Sequence, residues 1–178
     1  PMMMRSIRKS LAGALYGISI GERRLNIDAP LTAFGIDDQP PLTPGEKQAK
    51  FRDLIASRSG VFHGAAYASS DQIGDRPARG AHLPGTFWYY NNWDFNTAEE
   101  IYKRVTATSI YAAFGRHIAG PLGMQDYDES AQLAVLEPSQ SLFAAHTFRL
   151  SARDLAKFGL LYLQKGRWGG NSLVPAAW

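Results

Sequence analysis

Ser6-Ile7-Arg8-Lys9 stands at the mouth of an apolar run, Leu11, Ala14, Leu15 and Ile18, whose spacing is that of one helix face. The spacing predicts a helix over about residues 6 to 20, stopped by Gly21 as the left-handed residue beyond its C-terminus. Residues three apart share a helix face, so Ser6 Oγ and Lys9 Nζ come within hydrogen-bond reach. A serine hydroxyl is a poor nucleophile until a base takes its proton, and a desolvated, neutral lysine is one of the few side chains able to do so. Ser-x-x-Lys alone equally describes an ordinary helix start with a solvated lysine, so its meaning depends on what accompanies it.

The bulk numbers narrow the class. With 178 residues, 45% hydrophobic and 20% charged, the chain is long enough for one good core, and disordered and collagen-like classes are excluded. The net charge of +3 is scattered without a run of five like charges, which argues for solvated surface and against a nucleic-acid partner. There is no cysteine, hence no disulfide and no thiolate metal site. No run of eighteen apolar residues marks a membrane span, and Pro1 to Ser6 lack the apolar core of a signal peptide. Pro1 at one end and Val174-Pro175-Ala176-Ala177-Trp178 at the other lead us to expect a piece of a longer protein.

Beyond Gly21 the chain to Asp38 is interrupted by Pro30 and Gly35 and followed by Pro40-Pro41, so it reads as loop. Thr43-Pro44-Gly45-Glu46 combines an N-cap, a proline at the first helical position and a capping-box glutamate, predicting a helix through Phe51, Leu54 and Ile55. Val61 to Pro84 reads as irregular. Thr86 to Trp93 is dense in aromatics, which serve as a core anchor and pocket wall, and Asn96-x-x-Glu99 predicts a helix start running through Ile101 and Val105. Ser109 caps a further helix with Ile110, Ala113, Phe114 and His117, stopped at Gly120-Pro121. Ser151-x-x-Asp154 opens a last one with Leu155, Phe158, Leu161 and Tyr162 on its stripe, ended by Gly166. Five helices result, with strand candidates only at Leu142 to Arg149 and Phe87 to Tyr90.

Tyr90-Asn91-Asn92 changes the weight of the opening motif, since a tyrosine can shuttle a proton and an asparagine two residues on can bind a substrate amide. Ser-x-x-Lys at a helix start followed by Pro84-Gly85-Thr86 and Tyr-x-Asn resembles the serine β-lactamase and penicillin-binding protein superfamily. Asp53 to Val61 with its Ser59-Gly60, Pro121-Leu122-Gly123-Met124, and Leu150 to Gly159 follow in the same order, so the likeness spans nearly the whole chain. It is closest to the class C β-lactamase-like branch, which holds D-Ala-D-Ala peptidases, esterases and an amidase of the nylon-degrading type. The resemblance implies an α/β (α+β) serine β-lactamase-like fold. It is expected as a single partial domain over 1–178: the nucleophile helix in 1–20, a mostly helical and loop region in 21–150, and in 151–178 a helix leading back toward a sheet mostly outside the chain.

The resemblance also implies roles. Ser6 is the nucleophile, Lys9 and Tyr90 move protons, and Asn92 holds the acyl-side amide of an ester, amide or β-lactam substrate. The Ser6 N–H is half of an oxyanion hole. Arg5 and Arg8 either disfavour the charged form of Lys9 by repulsion or are simply solvated. No cofactor is called for, no metal either: His63, His82, His117 and His146 form no zinc spacing. The superfamily's third motif, a Lys or His, a small residue and Gly, has no copy here. Trp168-Gly169-Gly170 only imitates it, and the true strand is expected beyond Trp178. The resemblance leaves localisation open among periplasm, secretion and cytoplasm, and the oligomeric state open as well. An alternative from another class is a binding or regulatory module that keeps the fold without turnover; retention of Ser6, Lys9, Tyr90 and Asn92 together favours the hydrolase.

Overall fold

The computed structural model describes residues Pro1–Trp178. In chain order its elements are β1 (Met2–Met3), α1 (Ile7–Gly21), α2 (Phe51–Ile55), α3 (Ser70–Gly74), α4 (Asn92–Thr106), α5 (Ile110–Phe114), β2 (Leu133–Val135), β3 (Ala145–Thr147), β4 (Arg149–Leu150), α6 (Ala152–Leu163), β5 (Arg167–Trp168) and β6 (Asn171–Ser172). They fall into two compact units: Pro1–Leu25, Thr106–Leu133 and His146–Trp178 form the first, Asn26–Val105 and Ala134–Ala145 the second. The mixture of helices with short antiparallel strand pairs agrees with the α+β expectation, and the strand foreseen near Leu142 to Arg149 is realised as β3 and β4.

In the first unit β1 pairs antiparallel with β4, Met2 opposite Leu150 and Met3 opposite Arg149, and Met4 N donates to Phe148 O at 2.7 Å. The chain then turns through Arg5 and Ser6 straight into α1, whose predicted apolar face of Leu11, Ala14, Leu15 and Ile18 is buried. Gly21 is still helical, and the left-handed residue is Arg23 at φ 59°. Gly21 serves close packing instead: a Cβ there would meet Pro175 Cγ at 2.9 Å. α1 packs on α5, whose cap Ser109 accepts from Ala112 N at 3.0 Å as foreseen. Past Phe114 the predicted α-helix widens into one π turn, Gly115–Ala119, because Gly120 N reaches back five residues to Gly115 O at 2.9 Å. Ser151 caps α6, accepting from Asp154 N at 3.2 Å, and Gly166 follows at φ 77°. Of the α6 stripe, Phe158 and Leu161 are buried while Tyr162 stays 45% exposed. Phe114, Phe148 and Phe158 fill the core, with Phe114 and Phe148 ring centres 5.1 Å apart; each such ring contributes about 1.5–3 kcal/mol by leaving water. Trp168-Gly169-Gly170 belongs to the β5–β6 hairpin, its glycines taking φ 53° and 85° in the two-residue turn.

The second unit departs further from the sequence reading. The Thr43–Glu46 capping box is present, with Glu46 N donating to Thr43 Oγ1 at 3.2 Å and Thr43 N to Glu46 Oε2 at 2.7 Å, but it opens a single 3₁₀ turn, Glu46–Gln48. Backbone pairing of residues 49–51 with 29–31, Leu31 N to Ala49 O at 2.8 Å and Phe51 N to Ala29 O at 3.1 Å, pulls Ala49 extended and makes α2 a separate helix. Within the segment read as irregular, Ser69 and Gln72 cap the short α3 reciprocally. α4 begins at Asn92, four residues before the predicted Asn96 start, because the Asn91 side chain takes the cap, accepting from Trp93 N at 2.6 Å. Asn96 sits inside the helix and donates to Ala66 O at 3.1 Å. Phe87 to Tyr90 is not a strand: Tyr89 N bonds to Ser57 O at 2.9 Å, and the four residues otherwise run as loop. Tyr89 and Trp93 are core, Phe87 and Trp88 exposed wall, which divides the aromatic cluster as foreseen.

Candidate active site

Ser6 occupies the N-cap of α1, where a serine would ordinarily turn its hydroxyl onto a backbone N–H of the first turn. Its φ and ψ of −68° and −13° are helical, and the side chain makes no cap bond. The hydroxyl receives Lys9 Nζ at 3.4 Å instead. Ser6 is exposed and Lys9 half-buried, so the predicted pair exists with a reachable hydroxyl. The contact is long for a hydrogen bond, as is common before a substrate tightens the site. The same separation serves a neutral lysine accepting the serine proton. Arg5 is exposed, but Arg8 is only 1% exposed, so the expectation of a solvated Arg8 is corrected: its side chain is buried.

Tyr90 and Asn92 belong to the second unit. Tyr90 is half-buried, its ring 5.6 Å from Phe95 and 6.5 Å from Trp88 between centres. It borders a concavity lined also by Ser69, Asp71, Gln72, Asp75 and Trp88. Asn92, the first residue of α4, is buried and donates through Nδ2 to Tyr67 O at 2.5 Å, while its Oδ1 has no hydrogen-bond partner. Tyr67 is itself held in the left-handed region, φ 63°, by Glu137 Oε1, which accepts from Tyr67 N at 2.8 Å. Structure thus brings Ser6 to Lys9 in one unit and sets Tyr90 and Asn92 two residues apart at one helix start in the other.

Sequence reasoning passed over two buried carboxylates around that helix start. Asp38 is a hub: its carboxylate accepts from Trp93 Nε1 at 2.7 Å, Ser141 Oγ at 2.6 Å, Leu142 N at 2.8 Å and Gln39 N at 2.8 Å. Asp94 accepts from Ser59 Oγ at 2.5 Å and Asn91 Nδ2 at 3.3 Å. Burial pushes the Asp94 carboxyl well above the usual 3.8, the bonds from Ser59 and Asn91 opposing that shift without cancelling it. The available signal was an aspartate between Trp93 and Phe95 in an aromatic run, and a Ser-Gly pair upstream. Three of the four histidines have other engagements: His63 bonds Gly64 O and Pro40 O, His82 stacks on Phe87 at 3.9 Å, and His146 lies edge-on to Tyr111. No three His, Cys, Asp or Glu side chains gather as a metal site, and no helix is long and apolar enough to cross a membrane.

Comparison with known proteins gives a family-model match, described as Beta-lactamase, over residues 1–176. Among solved structures, a protein assigned as a 6-aminohexanoate-dimer hydrolase from Bacillus anthracis superposes with TM-score 0.69 at 20% identity, covering 97% of this chain and 50% of its own. The octameric penicillin-binding protein homologue from Pyrococcus abyssi follows with TM-score 0.67 at 20% identity, 97% and 46% covered. A D-stereospecific amidohydrolase from Streptomyces sp. gives TM-score 0.60 at 19% identity, 94% and 62% covered. The chain spans about half the length of the first two structures. No curated protein matches significantly.

Proposed function

This chain belongs to the beta-lactamase family, and from that premise we propose that it is a serine hydrolase working through an acyl-enzyme on an ester, amide or β-lactam. The observation that carries the reading is Ser6 itself, an exposed helix-start hydroxyl left out of capping and met by Lys9 Nζ at 3.4 Å. In the forward step Ser6 Oγ attacks the substrate carbonyl as its proton passes to neutral Lys9. Collapse of the tetrahedral adduct breaks the bond to the leaving group, which Tyr90 protonates. Water then attacks the acyl-serine, passing a proton to the tyrosinate of Tyr90, and as the free acid leaves Lys9 returns its proton to Ser6 Oγ, restoring the hydroxyl. The Ser6 N–H at the positive end of α1 supplies one oxyanion donor, worth about 3 kcal/mol of barrier. Asn92, two residues beyond Tyr90 at the start of α4, pairs with the acyl-side amide.

The test uses the full-length protein and its Ser6→Ala variant, offered nitrocefin, short p-nitrophenyl esters and a D-Ala-D-Ala peptide, with a fluorophosphonate probe in parallel. We expect the wild type to be labelled at Ser6 and to turn over at least one substrate, and the variant to do neither. A folded wild type that resists the probe while an active esterase is labelled beside it removes Ser6 as nucleophile and favours a module that binds without turnover.

A further inference from the structure

The residue between Tyr90 and Asn92 has its side chain committed inward. Asn91 Nδ2 donates to Asp94 Oδ1 at 3.3 Å and to Val61 O at 3.4 Å, and Asn91 Oδ1 accepts from Trp93 N at 2.6 Å. Asp94 is in turn gripped by Ser59, whose hydroxyl donates to Oδ1 at 2.5 Å while accepting from Val61 N at 3.0 Å. Ser59, Asn91 and Asp94 are 2%, 4% and 1% exposed, so this is an interior polar cluster, made where an apolar filling would be cheaper. Its base is stiff, because Gly60 at φ 70° lies so close to the backbone that a Cβ would meet His82 O at 2.8 Å. The chain of contacts therefore runs from a fixed turn through Ser59 and Asp94 to Asn91. Fixing Asn91 fixes the direction in which the flanking Tyr90 and Asn92 leave the backbone.

We propose that Asp94 is a positioning residue: held by Ser59, it locks Asn91 and thereby orients Asn92 toward the acyl-side amide of the substrate. This rests on the serine-hydrolase reading above. A small error in the placement of such a group costs much more in turnover than in stability, since binding geometry is passed directly to the reacting carbonyl. Asparagine at 94 keeps the Oδ1 acceptor and the volume, whereas leucine keeps only the volume.

The experiment compares Asp94→Leu, Asp94→Asn and Ser59→Ala in the full-length protein on two esters, the p-nitrophenyl ester of N-acetylglycine, which carries an acyl-side amide, and p-nitrophenyl butyrate, which does not. Active enzyme is counted by fluorophosphonate titration. For Asp94→Leu we expect kcat/KM on the acetylglycyl ester to fall about tenfold or more and on the butyrate by less than about threefold, with Asp94→Asn restoring most of the loss. Equal falls on both esters, or a loss accounted for by fewer active sites, mean a merely structural role and overturn the proposal. Should Asp94→Leu fail to fold, Ser59→Ala is judged by the same ratio: a selective loss supports the proposal and an unchanged ratio refutes it. A wild type that is neither labelled nor active on either ester defeats the hydrolase reading and this inference with it, a result visible before any substitution at 94.

Discussion

Replacing Asp38 with alanine should cost more stability than any exposed carboxylate in this chain, and the structure says why. The side chain is 0% exposed and accepts four hydrogen bonds. Two of the donors, Trp93 Nε1 and Ser141 Oγ, belong to residues 0% and 1% exposed and have no water to turn to. Leu142 N and Gln39 N lie on exposed residues, where water can replace the carboxylate. Leaving a buried donor unsatisfied costs about 1–3 kcal/mol, so two give about 2–6 and centre near ~4 kcal/mol. At about 2–4 °C per kcal/mol for a domain of this size, the melting temperature falls by about 8–16 °C. Asp38→Asn, which retains one acceptor oxygen, should lose about half as much. Urea titration of the full-length protein with Trp fluorescence reads both. A double-mutant cycle with Trp93→Phe should give a coupling of about 1–2 kcal/mol, because phenylalanine has no N–H to strand. A loss below about 1 kcal/mol for Asp38→Ala, or additivity with Trp93→Phe, would show that the hub is not formed as described.

Gly60→Ala places a Cβ at φ 70° and 2.8–3.0 Å from backbone atoms of His82, Leu83 and Pro84; a loss of about 2–4 kcal/mol is expected in denaturant unfolding, and a neutral alanine would contradict the turn. Glu46 is 4% exposed and bound by Arg79 Nε at 2.9 Å and Nη2 at 2.7 Å. Burial works to raise its pKa, but the bonds from Arg79 and Thr43 outweigh it and hold the carboxyl below its usual 4.5. The folded state therefore binds fewer protons than the unfolded one, so this stabilisation is present above the unfolded pKa and lost as pH falls through the folded one. Arg79→Ala should cost about 1–2 kcal/mol at neutral pH and less in acid; melting curves from about pH 3 to 7 that keep the same spacing between variant and wild type at every pH would be inconsistent with the pair.

How much the sequence disclosed depended on how local the deciding interaction was. The face of α1, the caps Ser109 and Ser151, and the Ser6–Lys9 pair all rest on partners within a helical turn, and each was legible. The start of α4 was not, because two asparagines competed for it and the outcome turned on Asn96 finding Ala66 O, 30 residues away. Capping chemistry at Thr43 was read correctly, yet the helix it should open lost to pairing of residues 49–51 with 29–31. Asp94 and Asp38 escaped for the same reason. A buried aspartate looks like any other until Ser59, 35 residues distant, or Ser141, 103 residues distant, is folded onto it. Motif order carried the family, but the buried polar contacts around the Tyr-x-Asn motif are remote in sequence.

At the N-terminus of α1 a single hydroxyl has two possible employers, the helix and the chemistry. Because Ser6 makes no cap bond, the helix forgoes the roughly 1 kcal/mol that an N-cap serine ordinarily contributes. On the proposed hydrolase reading, selection for thermal robustness and selection for turnover pull on the same atom in opposite directions. A lineage freed from catalysis would be expected to turn that hydroxyl, or an aspartate in its place, onto the helix and gain stability.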